Sequence, residues 1–135
     1  MKLTVDANVL FSALLKAGLT RRLIFDMRLS LYVPRSILAE YEKYAKELET
    51  RSKLGSKEFF ELSKLVLSRV SVVPDEEIGP YIPAATHLCS DPKDIAYIAC
   101  ALAEGTVLWT RDRTLKHPRL EKWGTREIAQ KLGLL

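Results

Sequence analysis

Four acidic side chains stand where the elements of an α/β fold would bring them to one place: Asp6, Glu40, Asp94 and Asp112. Two of them follow short apolar runs with the character of strands, Lys2–Val5 and Thr106–Thr110. The third stands in the first turn of an apolar helical segment. The fourth lies on the inner flank of an amphipathic helix, three residues after Ile37. Carboxylates that meet in this way are the oxygen ligands that hard divalent cations prefer.

The repulsion between such carboxylates decides what else the site needs. Two carboxylates about 4 Å apart repel by about 4 kcal/mol at an effective dielectric constant of roughly 20. A cluster of four therefore needs a bound cation, and ligands that are all oxygen favour Mg²⁺, Mn²⁺ or Ca²⁺ over Zn²⁺. Such a cation converts a bound water into a nucleophile, and a second cation stabilises the leaving oxygen. The acids thus predict phosphate chemistry, such as hydrolysis of a phosphodiester.

Each acid also has an ordinary structural interpretation. Aspartate is common after strands because its side chain forms turns, and a glutamate on a helix flank is usually solvated. In Asp91-Pro92-Lys93-Asp94 the first aspartate suits an N-cap and Asp94 suits the third helical position. Capping explains Asp91 better than Asp94, since a capping box prefers Glu or Gln there. Asp91 stays open between a helix cap and an additional metal ligand.

Three uncharged polar side chains near the acids are candidates to orient them. Asn8 comes two residues after Asp6. Thr110 comes two residues before Asp112, so in an extended segment the two side chains point the same way. Ser12 lies one helical turn beyond Asn8. Such residues hydrogen-bond metal ligands in many sites, although each also suits a cap or a surface position.

The elements that must position these side chains follow from the apolar pattern. Short apolar runs predict four strands, at Lys2–Val5, Leu31–Val33, Val70–Val73 and Thr106–Thr110. Helical spacing predicts helices at Val9–Lys16, Thr20–Met27, Arg35–Leu48, Lys57–Ser68 and Pro92–Glu104, with weaker ones after His117 and after Thr125. We expect Gly18 to cap the first helix, Thr20 to begin the second, and Arg51–Ser56 to form a turn.

Strands that alternate with helices predict an α/β fold with a mostly parallel central sheet and helices on both faces. In such sheets ligands bind at the carboxyl ends of the strands, which is where Asp6 and Asp112 stand. The inward faces of two amphipathic helices are expected to include Leu38 and Leu65, and the helix Pro92–Glu104 is expected to be buried.

The bulk composition is that of a globular protein. The 135 residues suit one domain (1–135), and a content of 47% hydrophobic residues can form its core. No apolar run approaches the roughly 20 residues that span a bilayer, so we expect a cytoplasmic protein without a membrane partner. The net charge of +4 is compatible with a polyanionic partner. Cys89 and Cys100 lack a zinc-like spacing with histidine and are expected to be reduced thiols.

The acids and their surroundings resemble the PIN-domain family of metal-dependent nucleases, which includes toxin ribonucleases of prokaryotic toxin–antitoxin pairs. The resemblance rests on four stretches in order: Val5–Leu10, Ile37–Glu40, Asp94–Ala101 and Leu108–Asp112. Each stretch alone is little more than an acid at the end of an element, whereas the ordered set is fairly specific. It covers essentially the whole chain.

The resemblance implies a PIN-like three-layer α/β/α sandwich, Mg²⁺ or Mn²⁺ bound by the four acids, and cleavage of RNA. It gives Asn8 and Thr110 as polar companions of the acids. It also implies a homodimer and, for toxin members, an antitoxin protein as partner. After Asp112 the chain lacks the Asp-Phe ending of many toxin members. That departure bears on toxin status more than on nuclease chemistry.

Basic residues near the acids in sequence are candidates for contacts with RNA phosphates: Arg21, Arg22, Arg35, Lys93, Arg111 and Arg113. Each also suits a solvated surface. A non-catalytic PIN-like module that binds RNA or protein is the main alternative function, but such a module would be expected to lose an acid. A phosphatase of the aspartyl-phosphate type expects an aspartate where this chain has Asn8. RNA and flap-like DNA both remain possible substrates.

Overall fold

The computed structural model describes residues 1–89, 91–112 and 120–135. The strands are β1 (Lys2–Val5), β2 (Ser30–Pro34), β3 (Val70–Val73), β4 (Val107–Trp109) and β5 (Lys122–Trp123). The helices are α1 (Ala7–Leu15), α2 (Leu19–Ile24), α3 (Ser36–Ser52), α4 (Ser56–Ser68), α5 (Asp75–Ile78), α6 (Ile82–Leu88), α7 (Pro92–Glu104) and α8 (Thr125–Lys131), and a single 3-10 turn, Gly79–Tyr81, precedes α6. Within these residues, no helix is long and apolar enough to cross a membrane.

The five strands pair in parallel, in the spatial order β3-β2-β1-β4-β5. The register places Leu3 of β1 between Leu31 of β2 and Val107 of β4. Along the chain, β2 is added beside β1 and β3 beside β2. The chain then crosses back and β4 pairs with the other side of β1. The crevice between the carboxyl ends of β1 and β4 is therefore the switch point at which such sheets bind ligands.

Helices flank the sheet, as the α/β pattern predicts. α7 packs on β1, β2 and β4, and α5 and α6 pack against α7. α1 packs against α2, α3 and α4. Leu3, Thr4 and Val5 are all fully buried, although successive side chains of β1 point to opposite faces of the sheet. Burial on both faces is typical of strands in parallel sheets, and the predicted α/β sandwich is confirmed.

The first two helices begin differently from the prediction. α1 begins at Ala7 rather than Val9, because Asp6 already has the extended backbone of an N-cap. Gly18 is not the cap of α1 but the N-cap of α2, so the prediction of Thr20 as an N-cap is wrong. Thr20 lies inside the first turn of α2, where its hydroxyl is 3.4 Å from a threonine hydroxyl at the start of α8.

Two helix ends also differ. α2 ends at Ile24 instead of Met27, and the Arg69 guanidinium donates hydrogen bonds to backbone carbonyls of the segment that begins there. α3 continues to Ser52, into the predicted turn, and ends where Lys53 adopts a left-handed conformation with φ 60°. The turn before α4 is accordingly shorter than the sequence predicts.

Two leucines predicted to face inward are exposed instead. Leu38 is 47% exposed and Leu65 is 56% exposed, whereas their neighbours Ile37 and Val66 are completely buried. Successive residues of a helix are about 100° apart around its axis, since one turn takes about 3.6 residues. The buried stripes of α3 and α4 are therefore narrower than predicted.

The chain between Pro74 and Asp91 contains α5, the 3-10 turn and α6, which the apolar pattern does not predict. Gly79, Pro80 and Pro83 interrupt the periodicity there, although proline at the start of α6 is itself a signal of a helix beginning. Each of these helices is too short for its apolar residues to show a helical period in the sequence.

The later elements agree more closely. α7 has the predicted bounds, and five consecutive residues from Tyr97 to Ala101 are buried. β4 falls within the predicted run Thr106–Thr110, and α8 begins at Thr125 as expected. The weak helix predicted after His117 begins outside the described residues. Among the described residues that follow, Lys122–Trp123 forms a short strand beside β4 rather than a helix.

Candidate functional site

The four predicted acids line one cavity at the carboxyl edge of the sheet, with a volume of about 760 Å³. Asp6 follows β1, Glu40 lies on α3, Asp94 lies in the first turn of α7, and Asp112 follows β4. Asp91 also lines this cavity. The fold therefore brings together side chains from four elements at the switch point between β1 and β4.

Thr110 joins the two strand ends that carry Asp6 and Asp112. Its buried hydroxyl donates a hydrogen bond of 2.8 Å to Asp6 Oδ2 and accepts one of 3.0 Å from the backbone N–H of Asp112. The backbone N–H of Asp6 donates to the carbonyl of Trp109, 3.0 Å away. Asp6 occupies the N-cap position of α1, and the backbone N–H of Ala7 helps to stabilise its charged form. Its carboxylate is thus directed to the cavity and held there by Thr110.

Glu40 has a hydrogen-bond partner that sequence reasoning missed. The Tyr97 hydroxyl donates to Glu40 Oε1 across 2.7 Å, and Tyr97 is only 2% exposed. Tyr97 follows Asp94 by three residues, so both side chains lie on the same side of α7. The signal available in the sequence was a tyrosine in an otherwise aliphatic core helix, because a buried tyrosine hydroxyl needs a partner.

Asp91 and Asp94 have different environments at the start of α7. Asp91 caps the helix, since its carboxylate accepts the backbone N–H of Lys93 at 3.0 Å. Asp94 does not form the reciprocal capping bond, because the Asp91 N–H donates to the Cys89 sulfur at 3.3 Å. The same sulfur lies 3.8 Å from Asp94 Oδ2. Capping therefore accounts for Asp91 and leaves the Asp94 carboxylate facing the cavity.

Burial and mutual repulsion raise the pKa of three of the acids. Desolvation is the largest cause for Asp6, Glu40 and Asp94 alike. The charge of Asp112 raises the pKa of Asp6 further, and the charge of Asp6 raises the pKa of Glu40 and of Asp94. The hydrogen bonds from Thr110 and Tyr97 act in the opposite direction because they stabilise the charged form. The carboxylates thus form one electrostatic cluster.

The other polar candidates have varied positions. Asn8 and Ser12 both line the cavity, but the Ser12 hydroxyl donates to the Val9 carbonyl at 2.7 Å within α1. Lys93 and Arg111 line the cavity as well.

Three of the remaining basic candidates lie elsewhere. Arg35 is exposed and lies 4.0 Å from Asp75. Arg21 donates to the Ala13 carbonyl at 2.6 Å and so serves the end of α1. Arg22 is exposed on α2 and is not among the residues that line the cavity. Arg113 lies outside the described residues.

The donors fit a hydrated hard cation. In the part of the chain that the structure describes, no three carboxylate, thiol or imidazole groups stand close enough to form a closed metal site. Mg²⁺ usually keeps several waters and takes only one or two direct carboxylate ligands. A cavity lined by carboxylates that raise one another's pKa suits such an ion, whose charge would offset their repulsion.

A family model and a solved structure both match this chain. A family model described as the PIN domain matches residues 4–133. Among solved structures, VapBC2 from Rickettsia felis, crystallised with a DNA fragment from the promoter, contains a chain of similar fold. The TM-score is 0.70 at 15% sequence identity, and the match covers 92% of this chain and 98% of that chain. No curated protein sequence matches this chain significantly.

Proposed function

This chain belongs to the PIN-domain family, and on that premise we propose that it is a divalent-cation-dependent endoribonuclease. The observation that carries the proposal is the convergence of Asp6, Glu40, Asp94 and Asp112 on one cavity at the switch point of the sheet. Four elements from distant parts of the chain contribute one acid each. Turn formation or solvation explains any one of these acids, but neither explains why all of them face the same space.

The proposed roles follow from the contacts. Asp6 and Asp112, joined through Thr110, would hold Mg²⁺ or Mn²⁺ on one side of the cavity. Glu40 and Asp94 would hold it, or its waters, on the other side. When bound, the cation supplies a water activated for attack on the phosphodiester and charge to stabilise the leaving oxygen. Lys93 and Arg111, which also line the cavity, would bind phosphates of the RNA.

The test combines metal binding with RNA cleavage. We expect calorimetric titration of Mn²⁺ to show binding by the intact chain and loss of that binding in Asp6→Asn. Cleavage of RNA by the variant should fall by at least about 100-fold, since loss of a ligand should cost no less than loss of a ligand's hydrogen-bond partner, which costs roughly 10-fold to 100-fold. Asp75→Asn is the matched control, because Asp75 is an exposed aspartate that does not line the cavity.

The alternative function is a non-catalytic PIN-like module that binds RNA or a protein. Intact protein that binds RNA but neither binds Mn²⁺ nor cleaves would favour the module and exclude the nuclease. Metal-dependent cleavage of flap DNA in preference to RNA would retain the chemistry and change the substrate class.

A second proposal concerns partners. The fold is similar to that of a chain in the VapBC2 structure, and we propose that this chain is the toxin of a toxin–antitoxin pair and acts in the cytoplasm as a homodimer. If so, a neighbouring reading frame encodes a protein that binds this chain and suppresses its RNA cleavage. Co-expression of the two proteins followed by a cleavage assay tests this. Cleavage unaffected by the neighbouring protein would leave a nuclease without an antitoxin.

A further inference from the structure

The acid-lined cavity extends well beyond the acids, along the groove between α1 and α3. On α3 it is lined by Glu40, then by Tyr44 one turn further along, then by Glu47 and Leu48, and finally by Arg51. Phe11 lines the facing side from α1. A row at this spacing lies on one face of a helix. The groove therefore leads from the acids, over an aromatic and aliphatic wall, to the ion pair of Arg51 with Glu47.

The size of the cavity exceeds what metal chemistry needs. One water occupies about 30 Å³, so two cations with their waters take up only a part of the 760 Å³ available. Volumes of roughly 300–1,000 Å³ are typical of pockets that enclose organic ligands. Part of the remaining space is lined by apolar side chains, of which Phe11 is 9% exposed and Leu48 is 4% exposed.

The apolar part of the groove has an aromatic centre. The rings of Phe11 and Tyr44 meet edge to face, with centroids 6.3 Å apart and an angle of 62° between their planes. The Lys43 ammonium lies 5.3 Å from the Tyr44 ring centroid. Aromatic rings combined with cations in a groove are the means by which proteins bind single nucleic acid strands.

We propose that this part of the groove is a nucleobase subsite, in which Tyr44 stacks on an unpaired base next to the scissile phosphate. The proposal rests on the proposed function and names the residues of this chain that would contact a base and a phosphate of the strand. Bases in a duplex are stacked on each other, so only an unpaired base can present its face to Tyr44. Arg51 then binds a phosphate further along the strand.

The spacing along α3 suits a strand. Tyr44 lies about 6 Å along the helix axis from Glu40, and Arg51 lies about 16 Å from Glu40, at a rise of about 1.5 Å per residue. A strand running along α3 would thus meet the acids with their cation, the aromatic wall and the guanidinium in that order. Its alternation of anionic phosphates and flat apolar bases matches this sequence of contacts, whereas an apolar peptide would make no use of the Arg51 charge.

Arg51 is available for such a contact. Its partner in the structure is Glu47, with 3.9 Å between Arg51 Nη1 and Glu47 Oε1, and the two side chains are 59% and 63% exposed. An ion pair this exposed contributes little. A phosphate can therefore replace Glu47 at low free-energy cost.

The test measures binding and cleavage separately. Fluorescence anisotropy of a labelled single-stranded RNA is recorded with Ca²⁺ as the cation, and gel analysis verifies that the strand stays intact. We expect Tyr44→Leu to weaken binding roughly tenfold and Tyr44→Phe to bind as the intact chain does, since the aromatic ring remains. Tyr41→Leu is the matched control, because Tyr41 is a half-buried tyrosine of α3 that does not line the cavity.

A base-by-base series identifies the subsite. The bases of the RNA are replaced one at a time by an abasic sugar. At one position in the RNA this replacement should weaken binding to the intact chain. At the same position it should not change binding to Tyr44→Leu. Arg51→Ala should reduce the salt dependence of log Kd by about one unit of slope. Lys46→Ala, on the same helix but outside the cavity, should not change it.

The outcomes separate this inference from the nuclease proposal. Equal RNA affinity of the intact chain and Tyr44→Leu would overturn the subsite and make a peptide the better occupant of the groove. Duplex RNA bound as tightly as a single strand would overturn it as well. Binding that depends on Tyr44, in a chain that cleaves no RNA with Mn²⁺, would support the subsite and exclude the nuclease.

Discussion

Two buried hydroxyls hold the carboxylates of the cavity, Thr110 on Asp6 and Tyr97 on Glu40. Both lie in the core of the sheet and helix layers and not on mobile surface segments. Each hydrogen bond restricts the rotamers of a carboxylate that would otherwise turn away from its neighbours. Asp6 and Glu40 are therefore oriented before any cation arrives, which is how a site lowers the cost of binding one.

Tyr97→Phe removes one oxygen atom and so tests the hydrogen bond from Tyr97 to Glu40. Loss of the hydroxyl should weaken Mn²⁺ binding by about 10-fold to 100-fold, as is usual for partners of metal ligands. Calorimetry measures the affinity, and steady-state kinetics should show a fall in kcat with little change in KM. Tyr41→Phe, on the helix that carries Glu40 but outside the cavity, is the control. A variant with lower thermal stability but unchanged Mn²⁺ affinity would reduce Tyr97 to a structural residue.

Asp6→Asn should leave the metal-free fold as stable as before or make it more stable. Burial and the charge of Asp112 raise the pKa of Asp6, so the folded protein binds this proton more tightly than the unfolded chain does. The ionised carboxylate therefore lowers stability above its folded pKa, and that penalty disappears as the pH falls through it. Urea denaturation in EDTA should show the variant's advantage at pH 7 shrinking towards pH 4. An advantage that grows as the pH falls would contradict this account.

At the scale of elements, the sequence predicted those strands and helices that a local pattern of residues specifies. Short apolar runs ending at Asp6 and Asp112 identified β1 and β4, and Asp91-Pro92 identified the start of α7 with its bounds. The partner of Glu40 could not be predicted, because Tyr97 is 57 residues away and the pairing depends on how α3 and α7 are placed. β5 has only two residues, too few for any periodicity, and exists because it pairs with β4.

The start of α7 provides a test of what Asp91 does. As the N-cap that accepts the Lys93 N–H, its replacement in Asp91→Ala should lower the free energy of unfolding by about 1 kcal/mol. Asp91→Ser keeps a capping oxygen without the charge and should restore most of that stability. Urea denaturation gives the stabilities, and calorimetry with Mn²⁺ gives the affinity of each variant. A stable Asp91→Ser protein with much weaker Mn²⁺ binding would show that Asp91 is a metal ligand as well as a cap.

At the scale of the whole molecule, the cavity exists only when the sheet is assembled. Its acids follow β1, lie on α3 and α7, and follow β4, and the order β3-β2-β1-β4-β5 places the ends of β1 and β4 side by side. A cation that binds there binds the folded chain and not the unfolded one. Metal binding must therefore stabilise the entire fold and not one loop.

That linkage gives a measurable shift. Mn²⁺ at about 100 times its Kd should add about 2.7 kcal/mol to the free energy of unfolding, which for a domain of this size raises Tm by roughly 10 °C. Calorimetric scans with and without Mn²⁺ measure the shift, and Asp6→Asn should show almost none of it. The same shift in that variant would mean that the cation stabilises the protein from another site. A shift that disappears with each of Asp6, Glu40, Asp94 and Asp112 would show that the four acids act together on one ion-binding centre.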